Sequence, residues 1–433
     1  MKRLYRLFAY SMVVISLLSI SFPSEVAAAK KKLVLWRLKT YVKDAEVLID
    51  QHINEWAAKN NVEVSIELYT HDERATKFTA AIESKTLPDV AELFANEPSR
   101  LHGINRLEDV SDIVNDIAKE LGKPVANLAG NMKFEGKFYA VPHYASPMLI
   151  FYRKDFLRKI NAQPPKTWDE VWKQAREIKA AGLQDYPAGF PWNRTSDGTD
   201  PALSIFWNYG ASWTDENGNY ISINTPEGLQ AIDSQIRECM DETWAKDYLS
   251  WSGGANNEAW LAGKISFTPN SPSILWQLDT YKHPLQKETG IVPLPRGPAG
   301  NAQPVVYLMS WSIPKDRGNQ ELAKSLIRYL MSKEKYEAYE KASAKQAGPF
   351  YEGLMGTKYW EDEDGKVIVE SIKIGHQLGW PGPTTPAASE VMTSNILTDI
   401  VGRIIIDKLS KEEALKEADD KIKAIYERFK MIK

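Results

Sequence analysis

The chain has 433 residues, too many for one ordinary hydrophobic core, so two domains are expected. With 43% hydrophobic and 26% charged residues it reads as a soluble globular protein. A net charge of −3 and the lack of any Lys/Arg stripe exclude a nucleic-acid partner.

Lys2, Arg3 and Arg6 precede a mostly apolar stretch at 7–20; Pro23 breaks it, and Ala27, Ala28 and Ala29 offer a small-x-small cleavage site. The stretch falls short of the ~20 apolar residues of a membrane span. Residues 1–29 therefore read as a cleaved export signal, with Lys30 opening the mature chain. The single cysteine, Cys239, excludes a disulfide within the chain. No cysteine follows the apolar stretch, which excludes the lipid anchor of a bacterial lipoprotein. A protein exported in soluble form is retained only behind an outer membrane, so a periplasmic location is expected. Cys239 continues the spacing of Ile232, Ile236 and Met240 and reads as a buried or half-buried thiol.

In the mature chain, 33–36 (Leu-Val-Leu-Trp) predicts a buried strand. Ile49, Ile53, Trp56 and Ala57 share one face of a helix over 45–59. Val62, Val64, Ile66 and Leu68 alternate as a strand, and Phe78, Ala81 and Ile82 mark a second helix. A third strand starts in 87–94, so the first lobe is a doubly wound α/β domain. Residues 134–142 predict a hairpin leading into an extended crossing, and 148–152 a buried strand. Thr167 and Glu170 form a capping box for a helix that buries Val171, Trp172, Ala175 and Ile178. Asp215 to Asn219 resembles the start of a calcium loop, but Tyr220 stands where such a loop needs Gly, so Asn217-Gly218 reads as a turn. Thr225-Pro226-Glu227 opens another helix. Residues 290–300 read as a linker between lobes, 305–309 as a strand, 321–330 as a helix and 362–365 as a turn. Ser410 and Glu413 cap a final helix.

Several segments carry a resemblance in chain order: 33–36, Leu87-Pro88-Asp89-Val90, Gly136-Lys137-Phe138-Tyr139-Ala140-Val141-Pro142, Phe151-Tyr152-Arg153-Lys154-Asp155, 165–170, 293–300 and 411–415. Together they resemble the family 1 extracellular solute-binding proteins, the class of maltose-binding protein. The resemblance implies an α/β, two-lobe periplasmic binding protein fold of type II, with three hinge crossings and a cleft between the lobes. The N-terminal lobe would take 30–141 plus 294–345 and the C-terminal lobe 148–290 plus 350–433. Hinges would fall near 142–147, 290–297 and 345–349. The function implied is an extracytoplasmic receptor of an ABC transporter. It would bind a mono- or oligosaccharide by lobe closure and deliver it to the membrane permease. The receptor would be a monomer with no cofactor and no metal.

A sugar offers C–H faces for aromatic stacking and a hydroxyl rim for carboxylates, amides and Arg. Fourteen Trp and nineteen Tyr supply candidates. Trp36 and Arg37 end the first strand, and Glu92, Phe94 and Asn96 follow the third. His143 and Tyr144 sit at the first crossing, and Trp192 and Asn193 in a Pro/Gly-rich loop. Asn270, Ser273 and Trp276 follow the strand at 265–267, where this chain has Ser-Pro-Ser in place of the family's frequent Gly-Pro-Trp contact. Tyr307 and Met309 lie on the strand after the linker, and Trp380 lies in a Gly-Trp-Pro-Gly-Pro loop with no periodicity to bury it. Trp36 and Trp276 read equally well as core, and Trp56, Trp168 and Trp172 sit on helix faces as core.

No nucleophile elbow, His-Glu-x-x-His, phosphate-cradling loop or Cys/His metal spacing occurs, so no enzyme is expected. Acidic pairs keep a secreted glycoside hydrolase as a distant reading. Arg37, Arg74 and Arg194 keep open a non-sugar solute in the same fold, a phosphate ester; a polyamine is the other such reading.

Overall fold

The computed structural model describes residues 30–431 apart from Tyr41, His71, Asp72, Ala95, Asn301 and Ala302. The segment 1–29, expected to be an export signal, lies outside the described residues. Among the described residues there are ten strands: β1 (Lys31–Leu38), β2 (Val62–Tyr69), β3 (Val90–Phe94), β4 (Lys133–Phe134), β5 (Lys137–Phe138), β6 (Val141–Pro147), β7 (Leu149–Arg153), β8 (Phe267–Asn270), β9 (Thr289–Pro293) and β10 (Val306–Ser312).

The expected β-α-β-α-β run forms. β1 lies between β2 and β3 and pairs with both in parallel. Helices Lys43–Lys59 and Arg74–Ser84 make the two returns. From Leu33 on, β1 is almost wholly buried, as fits a central strand, whereas β2 leaves alternate residues to solvent at the sheet edge. β10 and β6 extend this sheet antiparallel, giving the order β2-β1-β3-β10-β6. A second, antiparallel sheet has the order β8-β7-β9. The chain passes between the sheets three times. It leaves β6 at Pro147 and enters β7 at Leu149, it runs from β9 to β10, and it returns after helix Lys333–Ala342. There the backbones of Ala145 and Gly348 exchange hydrogen bonds of 3.0 and 2.8 Å.

Local signals explain most element ends. Thr167 with Glu170, and Ser410 with Glu413, form both expected capping boxes, opening helices Trp168–Ala180 and Lys411–Arg428. β4 and β5 form the expected hairpin over Glu135 and Gly136, both at positive φ. Asp215 Oδ1 accepts from the backbone N–H of Asn217 and Asn219, and Gly218 has φ 80°, so this stretch is a turn.

Two expectations need correction. Residues 362–365 do not form an isolated turn; Asp362 is the N-cap of helix Glu363–Ile374, its carboxylate accepting from Gly365 N–H at 2.7 Å. The linker read at 290–300 begins later, because 289–293 pair along β7 with Ile291 buried. Gly290 is needed in that ladder: a Cβ there would stand 2.3 Å from the Tyr152 ring.

Beside the second sheet lies an aromatic core. Trp168 stacks on Trp172 at 5.6 Å, Phe190 packs on both, and Trp192 lies 5.5 Å from Phe190. Cys239 is half-buried on helix Pro226–Met240.

Candidate functional site

A cavity of about 220 Å³ lies between the two sheets. Leu38, Thr70 and Phe94 reach it from the carboxyl ends of the parallel strands β1, β2 and β3, where open α/β sheets hold their ligands. β6 contributes Tyr144 and Ser146, and β10 contributes Tyr307 and Met309. Asn270 ends β8, and Ser271 and Ser273 follow it; Gly253, Gly254 and Asn257 open helix Ala255–Leu261; Thr195 and Asp197 stand at the start of helix Ser196–Asn208. Gln346, in the third passage, completes the wall. Gly254 takes φ 84°, a left-handed turn that lets the backbone enter that helix beside the cavity.

The wall joins flat rings to neutral polar groups. Tyr307 and Phe94 lie 5.5 Å apart, and the Tyr307 hydroxyl donates to Asp197 Oδ1 at 3.4 Å. Asn257 donates to Ser273 Oγ and Gln277 Oε1, each at 3.1 Å, and accepts from Asn270. These bonds fix the amides that face the cavity. Ser146 Oγ is buried without a hydrogen-bond partner among the described residues, a cost that a polar solute removes. Among the described residues, no Lys or Arg lines this cavity.

Behind Tyr307, Asp200 is buried, and its carboxyl is pushed up to about 8 by loss of solvent and then by Asp197; Tyr307 and Arg74 act the other way. Burial also drives the Tyr307 hydroxyl far above the usual phenol range. Both groups are therefore uncharged at neutral pH, and Tyr307 remains a donor.

Six of the expected site residues meet here: Phe94, Tyr144, Asn270, Ser273, Tyr307 and Met309. The structure does not bring the other nine to this cavity. Trp36 is core, edge-on to Phe78 at 5.5 Å with Lys77 over its ring. Arg37 is buried in ion pairs with Asp50 and Glu46. Glu92 and His143 pair at 3.2 Å deep in the first lobe, where Glu92 also accepts from Leu38 N–H and His143 lies against Trp311 and Tyr339. Asn96 lines a neighbouring hollow of about 330 Å³. Trp192 is buried and donates to Glu238 Oε1 at 2.6 Å, and Asn193 stands beside it at a separate surface hollow. Trp276 is buried edge-on to Tyr281. Trp380 is half-buried at another cavity, stacked on His376.

The three arginines are also accounted for. Arg37 is paired as above, Arg74 holds Glu97 at 2.9 Å and covers the Phe94 ring, and Arg194 faces Asp399 at 3.4 Å. The sequence reading missed Asn257, Ser146, Thr70, Asp197 and Gln346. The only signal for any of them was the Gly253-Gly254 pair followed by amides at a helix start.

This architecture matches solved structures over nearly its whole length. An ABC transporter solute-binding protein of Thermotoga lettingae, bound with α-D-tagatose, superposes with a TM-score of 0.80 at 18% identity, covering 92% of this chain and 100% of that one. A maltose-bound MalE3 of T. maritima gives 0.78 at 21% identity, covering 91% and 99%. The shared fold is the two-lobe α/β fold with its cleft between the lobes. In sequence, a probable ABC transporter-binding protein of Deinococcus radiodurans is 24% identical over 286 residues, which is 64% of this chain and 66% of that protein. The family model for the bacterial extracellular solute-binding protein matches residues 42–337, most of the chain. Two sheets, three passages between them, a polar cavity at the strand ends and this match together establish that the chain belongs to the bacterial extracellular solute-binding protein family, a family of receptors rather than enzymes.

Proposed function

We propose that this receptor binds a neutral sugar or polyol of about one or two rings in the inter-sheet cavity and hands it to an ABC permease. The composition of the wall carries the reading. Rings of Tyr144, Tyr307 and Phe94 stand beside amides and hydroxyls of Asn257, Asn270, Ser146 and Thr70, with, among the described residues, one carboxylate, Asp197, and no Lys or Arg. Rings take a sugar's C–H faces, while amides and a carboxylate take its hydroxyls. A phosphate ester would call for arginine in this wall, and the three candidates are turned to Asp50, Glu97 and Asp399. A polyamine would call for several carboxylates. The volume is below the ~300–1,000 Å³ common for drug-sized ligands, which favours a short saccharide over a long one.

In this reading, one lobe holds 30–147 plus about 306–342 and the other 149–293 plus about 350–431. The hinge passes through Met148, residues 294–305 and residues 343–348. Solute touching both lobes favours the closed state by its differential affinity. The N-terminal segment 1–29 directs export and is removed, leaving a periplasmic monomer that begins at Lys30.

The test is a melting-temperature screen of the mature chain against mono- and disaccharides and polyols, with glycerol phosphate and putrescine as controls. A true ligand at 100 times its dissociation constant adds about 2.7 kcal/mol of stability. A shift with the phosphate ester or the amine, and none with any carbohydrate, would overturn the assignment.

A further inference from the structure

The cavity that holds Trp380 is separate from the cleft and measures about 1030 Å³. It sits on the far side of the crossing strands. Along β10, Tyr307 points into the cleft, while its neighbour Val306 meets Gly375, next to His376 of the second cavity's wall. Asn127 of the first lobe also reaches this wall, donating to the carbonyls of Lys373 and Gly375. The space thus lies behind the hinge and touches both lobes.

Its chemistry differs from that of the cleft. One side is a flat aromatic platform: the Trp380 indole is half-buried and stacked on the His376 ring at 4.4 Å, and Trp207 braces it edge-on at 5.4 Å. Loss of solvent lowers His376 to about 4, so this ring stays neutral. The rim carries three exposed cations, Lys166, Arg296 and Lys373, against one carboxylate, Glu370. Among the described residues, none of the three cations forms a salt bridge. Lys166 and Arg296 are held side by side, because Arg296 N–H donates to the Lys166 carbonyl at 3.0 Å and Trp168 N–H donates to the Arg296 carbonyl at 3.3 Å.

We propose that this hinge-side cavity is a second binding site, for a flat aromatic anion whose ring stacks on Trp380 while its charged group meets Lys373 and Arg296. An excess of unpaired cations selects for negative charge. An indole face braced by two further rings selects for a planar partner. The site does not depend on which solute the cleft takes.

The test is calorimetric titration of 2-naphthoate into the full mature chain, with 2-naphthalenemethanol as the uncharged control. Naphthoate binds saturably, and at least tenfold more tightly than the alcohol. Lys373→Glu, an exposed change that leaves the fold intact, weakens naphthoate tenfold or more, and Trp380→Ala does the same. Tyr307→Ala, in the cleft, leaves naphthoate binding within threefold. Absence of saturable binding, equal affinity for the alcohol, indifference to Lys373→Glu, or loss on Tyr307→Ala would each overturn the proposal. The sugar screen on Lys373→Glu reports separately on the cleft.

Discussion

Trp192 was a candidate sugar platform by sequence and is a core residue by structure, so Trp192→Ala separates the two roles. Its indole is 1% exposed, packs on Phe190 and donates to Glu238 Oε1 at 2.6 Å. Truncating a buried Trp to Ala costs ~3–5 kcal/mol. The Glu238 carboxyl then loses its donor, which adds about 1 kcal/mol at the low end of the range, because burial raises this acid to about 8 and it is already protonated at pH 7. The sum is about 4–6 kcal/mol, or a fall in melting temperature of roughly 10–20 °C for a lobe of this size. Trp192→Phe, which keeps most of the ring volume and loses the N–H, is expected to cost only ~1–2 kcal/mol. Calorimetric melting of both variants gives the stability term, and titration with the sugar from the screen gives the affinity, which stays within threefold of the parent. A variant that melts like the parent yet loses tenfold or more in sugar affinity would refute the core assignment.

Asn257→Ala removes the buried amide that ties Asn270, Ser273 and Gln277 together; titration is expected to show sugar binding weakened by ~1–3 kcal/mol, and calorimetry a stability loss of similar size from the partners left unsatisfied. Asp200 has a folded-state pKa of about 8 against an ordinary 3.8, so between about pH 4 and 8 the folded chain keeps a proton that the unfolded chain releases. Stability therefore falls as pH rises through this window, by up to ~1.4 kcal/mol per unit, and levels off above it. Asp200→Asn is expected to flatten that fall, gaining more stability at pH 8 than at pH 5 in urea titrations; parallel pH profiles would reject the shift. Small-angle scattering at saturating sugar is expected to show a smaller radius of gyration, and an unchanged radius would remove the closure mechanism.

The backbone plan was legible because its signals are local. The burial of β1, the alternation in β2, and the pairs Thr167/Glu170 and Ser410/Glu413 each act within a few residues. The failures came from quantities that only the tertiary structure defines. A Pro/Gly-rich stretch around Trp192 looks like an exposed loop until Trp172, Phe190 and Glu238 close over it. Arg37 looks like a ligand-binding cation until Asp50, on the following helix, takes it. Glu92 and His143 pair with one another, buried in the first lobe and away from the cavity wall. The residues that were missed are the reverse case. Asn257, Ser146 and Gln346 are ordinary polar residues in sequence, and only the packing of one sheet against the other gives them a shared cavity. Position along a strand was a partial guide: Phe94, Tyr144, Asn270, Tyr307 and Met309 on β3, β6, β8 and β10 line the cavity, whereas Trp36, Arg37 and Glu92 on β1 and β3 do not.

The distribution of indoles has an optical consequence. Of the fourteen tryptophans, twelve are buried, two (Trp251 and Trp380) are half-buried, and none lines the cleft cavity. A sugar entering the cleft touches tyrosine and phenylalanine but no indole, so contact alone leaves the dominant fluorophores in unchanged surroundings. Trp380 differs because the cavity it lines also takes Ala126 and Asn127 from the other lobe, so closure as proposed would change the space around it. With closure as proposed, intrinsic emission would report the hinge angle rather than the occupancy of the cleft. A cleft solute that binds without bending the hinge would leave the spectrum dark to its presence.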